Sequence, residues 1–198
     1  SGALFDLVKL ADVSAGVIGA FDAEKVTKDV LEWAKGHDEE LYALLNRDTD
    51  YAQGIFAIDR GGKKPRKDIR KWSDVRDYVS YFYDELWQGE YDLPENLTKE
   101  DMIAILDTYA KAYEEAPDKN TWFDGVKAIC EGLGFCPEVK AYKQDPTGWK
   151  GHVGDVSNVV RVAITGRKNS PDLWSIMTLL GKERSLSRLR KMKEFLAK

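Results

Sequence analysis

The 198-residue chain has room for one large or two small domains with a hydrophobic core, and 43% apolar and 11% aromatic residues mark a folded globule. No apolar run approaches the roughly 20 residues that span a bilayer, and no signal-peptide pattern opens the chain, so a cytoplasmic protein with no membrane partner is expected. A net charge of −4 would argue against a nucleic-acid partner if it were evenly spread, and it is not.

Taken in chain order, helical signals dominate. Asp22 before Ala-Glu-Lys predicts an N-cap, and Gly36 a stop. Arg60-Gly-Gly-Lys-Lys-Pro-Arg66 cannot be a helix interior, because paired glycines and a proline break it. Ser73 opens the next pattern, in which Val75, Val79, Phe82 and Leu86 share one helical face before Gly89. Gln88 to Asn96 reads as a connector, with a boundary near residue 92. Thr98, with Asp101 three residues on, starts a helix whose face is Met102, Leu106, Tyr109 and Tyr113. Asn120 starts another, with Phe123, Val126, Cys130 and Leu133 inward and Gly134 as its stop. Residues 135–154 read as an extended loop in which Tyr142 and Trp149 are packing anchors. The β-branched stretch Val159–Ile164 has no evident partner strand and reads as a buried helix. Ser170 is the expected N-cap of a helix beginning at Pro171 and stopping at Gly181. The fold class is therefore all-α, in two helical subdomains, residues 1–92 and 93–198.

Signals for catalysis are missing. Histidine occurs as His37 and His152, both in turn-like settings that suit surface residues better than a general base. Cys130 lies on an apolar helical stripe and Cys136 precedes Pro137, so ordinary buried thiols are expected and no metal site. No glycine-rich phosphate loop of the Walker or dinucleotide type is present. No catalytic residue and no cofactor is assigned to these residues.

Charge is segregated. Residues 60–71 hold seven bases against Asp68, residues 161–198 hold ten bases against three acids, and residues 84–124 hold twelve acids against three lysines. Two readings follow. The basic stretches suit a polyanion, and the acidic 84–124 face suits a helical protein-interaction module with a Lys- and Arg-rich partner. Plain solvated faces account for either run taken alone.

The stretch Arg161-Val-Ala-Ile-Thr-Gly166-Arg-Lys-Asn-Ser170-Pro-Asp-Leu-Trp174-Ser-Ile-Met-Thr-Leu-Leu180-Gly-Lys-Glu-Arg184-Ser-Leu-Ser-Arg188-Leu189 resembles the anticodon-binding segment of bacterial glutamyl-tRNA synthetases. Leu4-Phe-Asp-Leu-Val-Lys-Leu10 and Arg60-Gly-Gly-Lys-Lys-Pro-Arg-Lys-Asp-Ile-Arg-Lys-Trp-Ser-Asp-Val75 are similar to a clostridial-type subset of that family. In the subset the second class I signature loop runs straight into Gly-Ala-Leu-Phe-Asp, so Ser1-Gly-Ala-Leu-Phe-Asp6 starts near that border. The family's catalytic signatures are absent from this stretch. The resemblance therefore implies a stem-contact region followed by an anticodon-binding region, monomeric, with tRNA(Glu) and the parent's own N-terminal catalytic domain as partners. ATP and Mg are implied for the parent ligase alone.

By motif, Arg161 matches an arginine implicated in reading the anticodon, and Ser170, Pro171 and Leu173 match the loop and helix start placed against anticodon bases. An arginine fork can bond a base edge, and unstacked anticodon bases expose such edges. Arg167 and Lys168 would position phosphates, although many family members carry a small acidic or neutral loop there. An ion pair tying two helices is the alternative for Arg161. For Lys63, Lys64, Arg66 and Lys67, phosphate contact and a solvated loop stand equal.

Overall fold

The computed structural model describes residues 6–198, so the border motif read over Ser1–Phe5 lies outside the described residues. Among the described residues regular structure is helical, apart from one isolated bridge between Cys136 and His152. The chain separates into two compact units, Ser1–Trp87 and Gln88–Lys198.

In the first unit, α1 (Leu7–Ala20), α2 (Ala23–His37), α3 (Glu39–Arg47) and α4 (Thr49–Ala57) each begin on an aspartate. Asp6, Asp22, Asp38 and Asp48 accept from the first-turn backbone N–H groups, which have no partner inside the helix. Asp38 also binds Arg76 through two hydrogen bonds of 2.8 and 2.9 Å, and that guanidinium holds its carboxyl below the usual carboxylate range. Because the Asp38 N–H bonds the Ala34 carbonyl while its side chain caps α3, α2 runs past Gly36 to His37, against the predicted stop.

The pattern after Ser73 forms differently than expected. Asp74, not Ser73, gathers the chain, its carboxylate accepting from the Arg70 and Lys71 N–H groups around a 3-10 turn at Trp72–Asp74. The following helix α5 (Val75–Val79) is five residues long. Val75, Val79, Phe82 and Leu86 are all buried as expected, but the last two are buried by successive turns. Tyr78, Tyr81 and Tyr83 are buried as well, so this segment is apolar on every side, and a straight helix would leave one side in water.

The second unit contains α6 (Lys99–Ala112), α7 (Lys119–Leu133), α8 (Val139–Gln144), α9 (Val153–Thr165), α10 (Leu173–Leu180) and α11 (Lys182–Leu196). Thr98 caps α6 as read, while α7 starts at Asp118, which accepts from the Thr121 N–H, rather than at Asn120. Gly134 closes α7 at φ 83°, a left-handed cap that a Cβ would strain. Residues 135–154 are not wholly a loop. They contain α8, and His152 there caps α9, its Nδ1 accepting from the Gly154 N–H at 2.9 Å.

Helix α9 is the centre of this unit, packed by α6, α7 and α11. Val159, Val160, Val162, Ala163 and Ile164 are all fully buried, as the helical reading of that stretch requires. Each such valine contributes about 1.5–3 kcal/mol on burial. Cys130 and Cys136 are free, buried thiols, and burial pushes Cys130 up to about 11, which keeps it unreactive near neutral pH. No helix among the described residues is long and apolar enough to cross a membrane.

Candidate nucleic-acid interface

Arg161 stands one turn before the end of α9, on the side away from its valines, and is half-buried. The helix ends because Gly166 takes a left-handed conformation, φ 77°, with its N–H on the Val162 carbonyl at 2.7 Å. Thr165 fastens the exit. Its hydroxyl donates to the Arg161 carbonyl at 2.8 Å and accepts from the Arg167 N–H at 3.1 Å. The Gly166 carbonyl in turn accepts from the Asp92 N–H at 2.9 Å.

The 166–172 loop is then folded back onto Arg161. Its Nη1 donates to the Pro171 carbonyl at 2.9 Å, to the Ser170 carbonyl at 3.3 Å, and to the Ser170 hydroxyl. That hydroxyl donates to the Pro171 carbonyl at 2.8 Å. Arg161 thus ties its helix to the following loop by charge-assisted hydrogen bonds to the Ser170 and Pro171 oxygens.

Two expectations are corrected here. The cap of α10 is Asp172, not Ser170, and the helix begins at Leu173, not Pro171. Asp172 accepts from the Ser175 N–H at 3.0 Å and from its hydroxyl at 2.8 Å, and forms an ion pair with Lys119. Burial pushes the Asp172 carboxyl up, but Lys119 and the Ser175 donors outweigh it and hold the group below its ordinary value. A carboxylate cap already occupies the first-turn N–H of Ser175, which disfavours a phosphate on that N-terminus. Leu173 is 1% exposed and Ser170 8%, and Pro171 is buried too, so none of the three offers a face to a base here.

What reaches solvent is the loop's tip. Lys168 and Asn169 are exposed and Arg167 is half-buried. Lys168 pairs with Asp92 at 3.1 Å and Glu95 at 3.8 Å, and those carboxylates raise its ammonium above the ordinary lysine value. A phosphate there has to displace them.

The other basic loop, in the first unit, sorts its charges in the same way. Arg60 is half-buried, donating to the Phe56, Ile18 and Phe21 carbonyls at 2.7, 2.8 and 3.0 Å, and burial lowers its pKa. Arg66 makes a bidentate pair with Asp68 at 2.6 and 2.9 Å, and Lys67 meets Asp12 at 2.9 Å. Lys63 and Lys64 are exposed, and among the described residues no ion pair holds them.

Sequence reasoning assigned no site residue to α11. Arg190 and Lys191 are exposed there, again with no ion pair among the described residues, and Arg190 lines a groove of about 260 Å³ between α6 and α11. The bare count of bases in 161–198 held this information, but not which of them stay available. Part of the acidic run is engaged within the second unit: Asp101 with Lys150, Asp107 with Lys111 and Lys193, and Glu114 with Lys182, each between 2.6 and 2.7 Å.

Comparison with known proteins agrees with this geometry. An anticodon binding domain family matches residues 147–193, which include Arg161, the loop and α10. A glutamate–tRNA ligase of Sorangium cellulosum is 43% identical over 95% of this chain, one of Clostridium perfringens 43% over 96%, and one of Acetivibrio thermocellus 38% over 97%. The chain spans 33–35% of the length of these relatives.

Proposed function

We propose, for a chain that aligns with about a third of each of several bacterial glutamate–tRNA ligases and matches an anticodon binding domain over residues 147–193, that it holds tRNA(Glu) by its anticodon for aminoacylation by a catalytic part outside these residues. In that reading ATP and Mg belong to the catalytic part, which is the chain's protein partner. The observation that carries the proposal is the Arg161-braced loop, inside the matched domain, which lifts Arg167, Lys168 and Asn169 to the surface from a rigid, valine-filled helix. A site on a braced element presents donors in fixed positions, which single-stranded bases require.

The buried Ser170, Pro171 and Leu173 take the role of holding the loop, and Arg161 that of positioning it. Arg167 and Lys168 supply phosphate and base contacts. Lys63 and Lys64 supply further, sequence-independent phosphate contacts, with Arg66 and Lys67 contributing after exchange of Asp68 and Asp12. The alternative, a protein-interaction module on the acidic 84–124 face, is less favoured because Asp101, Asp107 and Glu114 already have lysine partners.

Gel-shift titration tests the proposal. The chain should shift tRNA(Glu) at low salt, with affinity falling as salt rises. Lys168→Ala should weaken binding with no loss of melting temperature. Arg161→Ala should weaken binding by about 1–3 kcal/mol and also lower the melting temperature, since it frees buried carbonyls. No shift at low salt, or equal affinity for tRNA and for a random RNA of the same length, defeats it.

A further inference from the structure

Among the described residues, six large apolar side chains are left exposed, and five of them lie on α1: Leu7 at 69%, Val8 at 80%, Leu10 at 50%, Val13 at 56% and Val17 at 52%. Leu7, Leu10, Val13 and Val17 step by three, three and four, so they form one stripe along the helix. The opposite side of α1 is already used. Ala15, Ile18 and Gly19 are buried, the Ser14 hydroxyl donates to the Arg70 carbonyl, and Arg60 ties down the Ile18 carbonyl. In fourteen residues α1 carries two charged side chains, Lys9 and Asp12, and Asp12 is engaged by Lys67. A helix that is apolar all round belongs in an interior.

We propose that the outer face of α1 is an interdomain seat, covered in the full-length protein by an apolar patch of the segment that precedes this chain. The inference rests on the reading of the chain as the tRNA-holding third of a ligase, and it adds a surface which that reading does not contain. Size selects the occupant. Four or five half-exposed aliphatic side chains present a few hundred Å² of apolar area, on the order at which a patch marks an interaction site. A stable dimer of independent chains buries about 800 Å² on each partner, well beyond this stripe. A tethered partner needs far less, because a short linker holds it at an effective concentration of about a millimolar. α1 is the first helix among the described residues, and the matched relatives carry about twice as much sequence again beyond what this chain covers. A preceding segment therefore reaches α1 through the shortest tether the chain allows.

Backbone hydrogen exchange over residues 7–20 tests this, measured in the chain and in the full-length protein containing it. Exchange should be about tenfold slower or more in the full-length protein. Val13→Glu in the full-length protein should return exchange to the rate seen in the isolated chain. In the isolated chain the same change should leave the melting temperature unmoved, since Val13 already faces water there. Equal exchange in the two proteins overturns the proposal, as does protection that Val13→Glu leaves intact. Concentration-dependent sedimentation of the chain as a dimer, abolished by Val13→Glu, assigns the face to a second copy and overturns it too. Binding of tRNA is read separately: a protected α1 in a chain that does not shift tRNA sinks the functional reading alone, and the reverse result sinks this inference alone.

Discussion

The cap of α10 shows how a role expected of one polar residue can pass to its neighbour. Ser170 and Asp172 both stand in a basic, hydroxyl-rich stretch, and Ser170 looks the better cap because proline follows it. The choice fell to Asp172 because a carboxylate with Lys119 beside it satisfies both the Ser175 N–H and the Ser175 hydroxyl, whereas the Ser170 hydroxyl is turned to Arg161 and Pro171. No rule of spacing reports that Lys119, more than fifty positions earlier, will stand there. The consequence is a pH-dependent cap. Asp172 is held below its ordinary value in the folded chain, while the unfolded group titrates near ~3.9. Its stabilisation is therefore complete above the unfolded value and is lost as pH falls through the folded one. Asp172→Ala should destabilise the second unit by about 0.5–2 kcal/mol at pH 7, and the gap to the unaltered chain should begin to narrow as pH falls below about 4. Asp172→Asn keeps an acceptor and loses the charge, so it should fall between them. Urea melts at pH 7 and at a series of pH values below about 4 read both, and a gap that does not narrow as pH falls would refute the assignment.

At the scale of elements, legibility tracked how one-sided each helix is. α6 and α7 bury one face and leave the other in water, so periodicity found them, and α9 was readable because β-branched residues with no partner strand leave a buried helix as the remaining choice. α5 failed that logic, since Tyr78, Tyr81 and Tyr83 bury the sides that a 3.6-residue pattern assigns to solvent. The C-terminal stops divide similarly. Gly134 and Gly166 are left-handed caps, whereas Gly36 sits inside α2 and Gly181 takes an extended ψ of 164° between α10 and α11. Gly166 was not picked out as a stop, yet the direction of the candidate loop depends on it. At φ 77° a Cβ is strained by about 1–2 kcal/mol, so Gly166→Ala should lower stability by that amount. It should also weaken tRNA binding more than Gly62→Ala, whose glycine has open space around it. Equal effects of the two substitutions on binding would detach the loop's geometry from its function.

For the molecule as a whole, segregated charge was legible in the sequence, and its local cancellation was not. The acidic run and the basic run of the second unit meet in three dimensions, where Lys168 pairs with Asp92 and Glu95, Lys182 with Glu114 and Lys193 with Asp107, so part of their charge is neutralised locally. The same folding-back bears on where the second unit begins, since residues just before the boundary proposed near 92 are anchored to it. The Asp92 N–H bonds the Gly166 carbonyl, the Asp92 carboxylate meets Lys168, and the Tyr91 ring lies 5.0 Å from Phe195. A unit cut at residue 93 loses all three, while one cut at Gln88 keeps them. The backbone bond contributes about 0.5–1.5 kcal/mol and the ring pair a similar amount, and the exposed ion pair adds little. The 88–198 fragment should therefore melt cooperatively and be more stable than 93–198 by about 1–3 kcal/mol. Because Lys168 loses its nearer carboxylate partner, Asp92, in the shorter fragment, 93–198 should nevertheless bind tRNA at least as tightly once both are folded. Chemical denaturation and gel shift on the two fragments separate these outcomes. Equal stability would place the boundary at 92 after all, and weaker binding by the shorter fragment would mean that Asp92 orients Lys168 for RNA rather than competes for it.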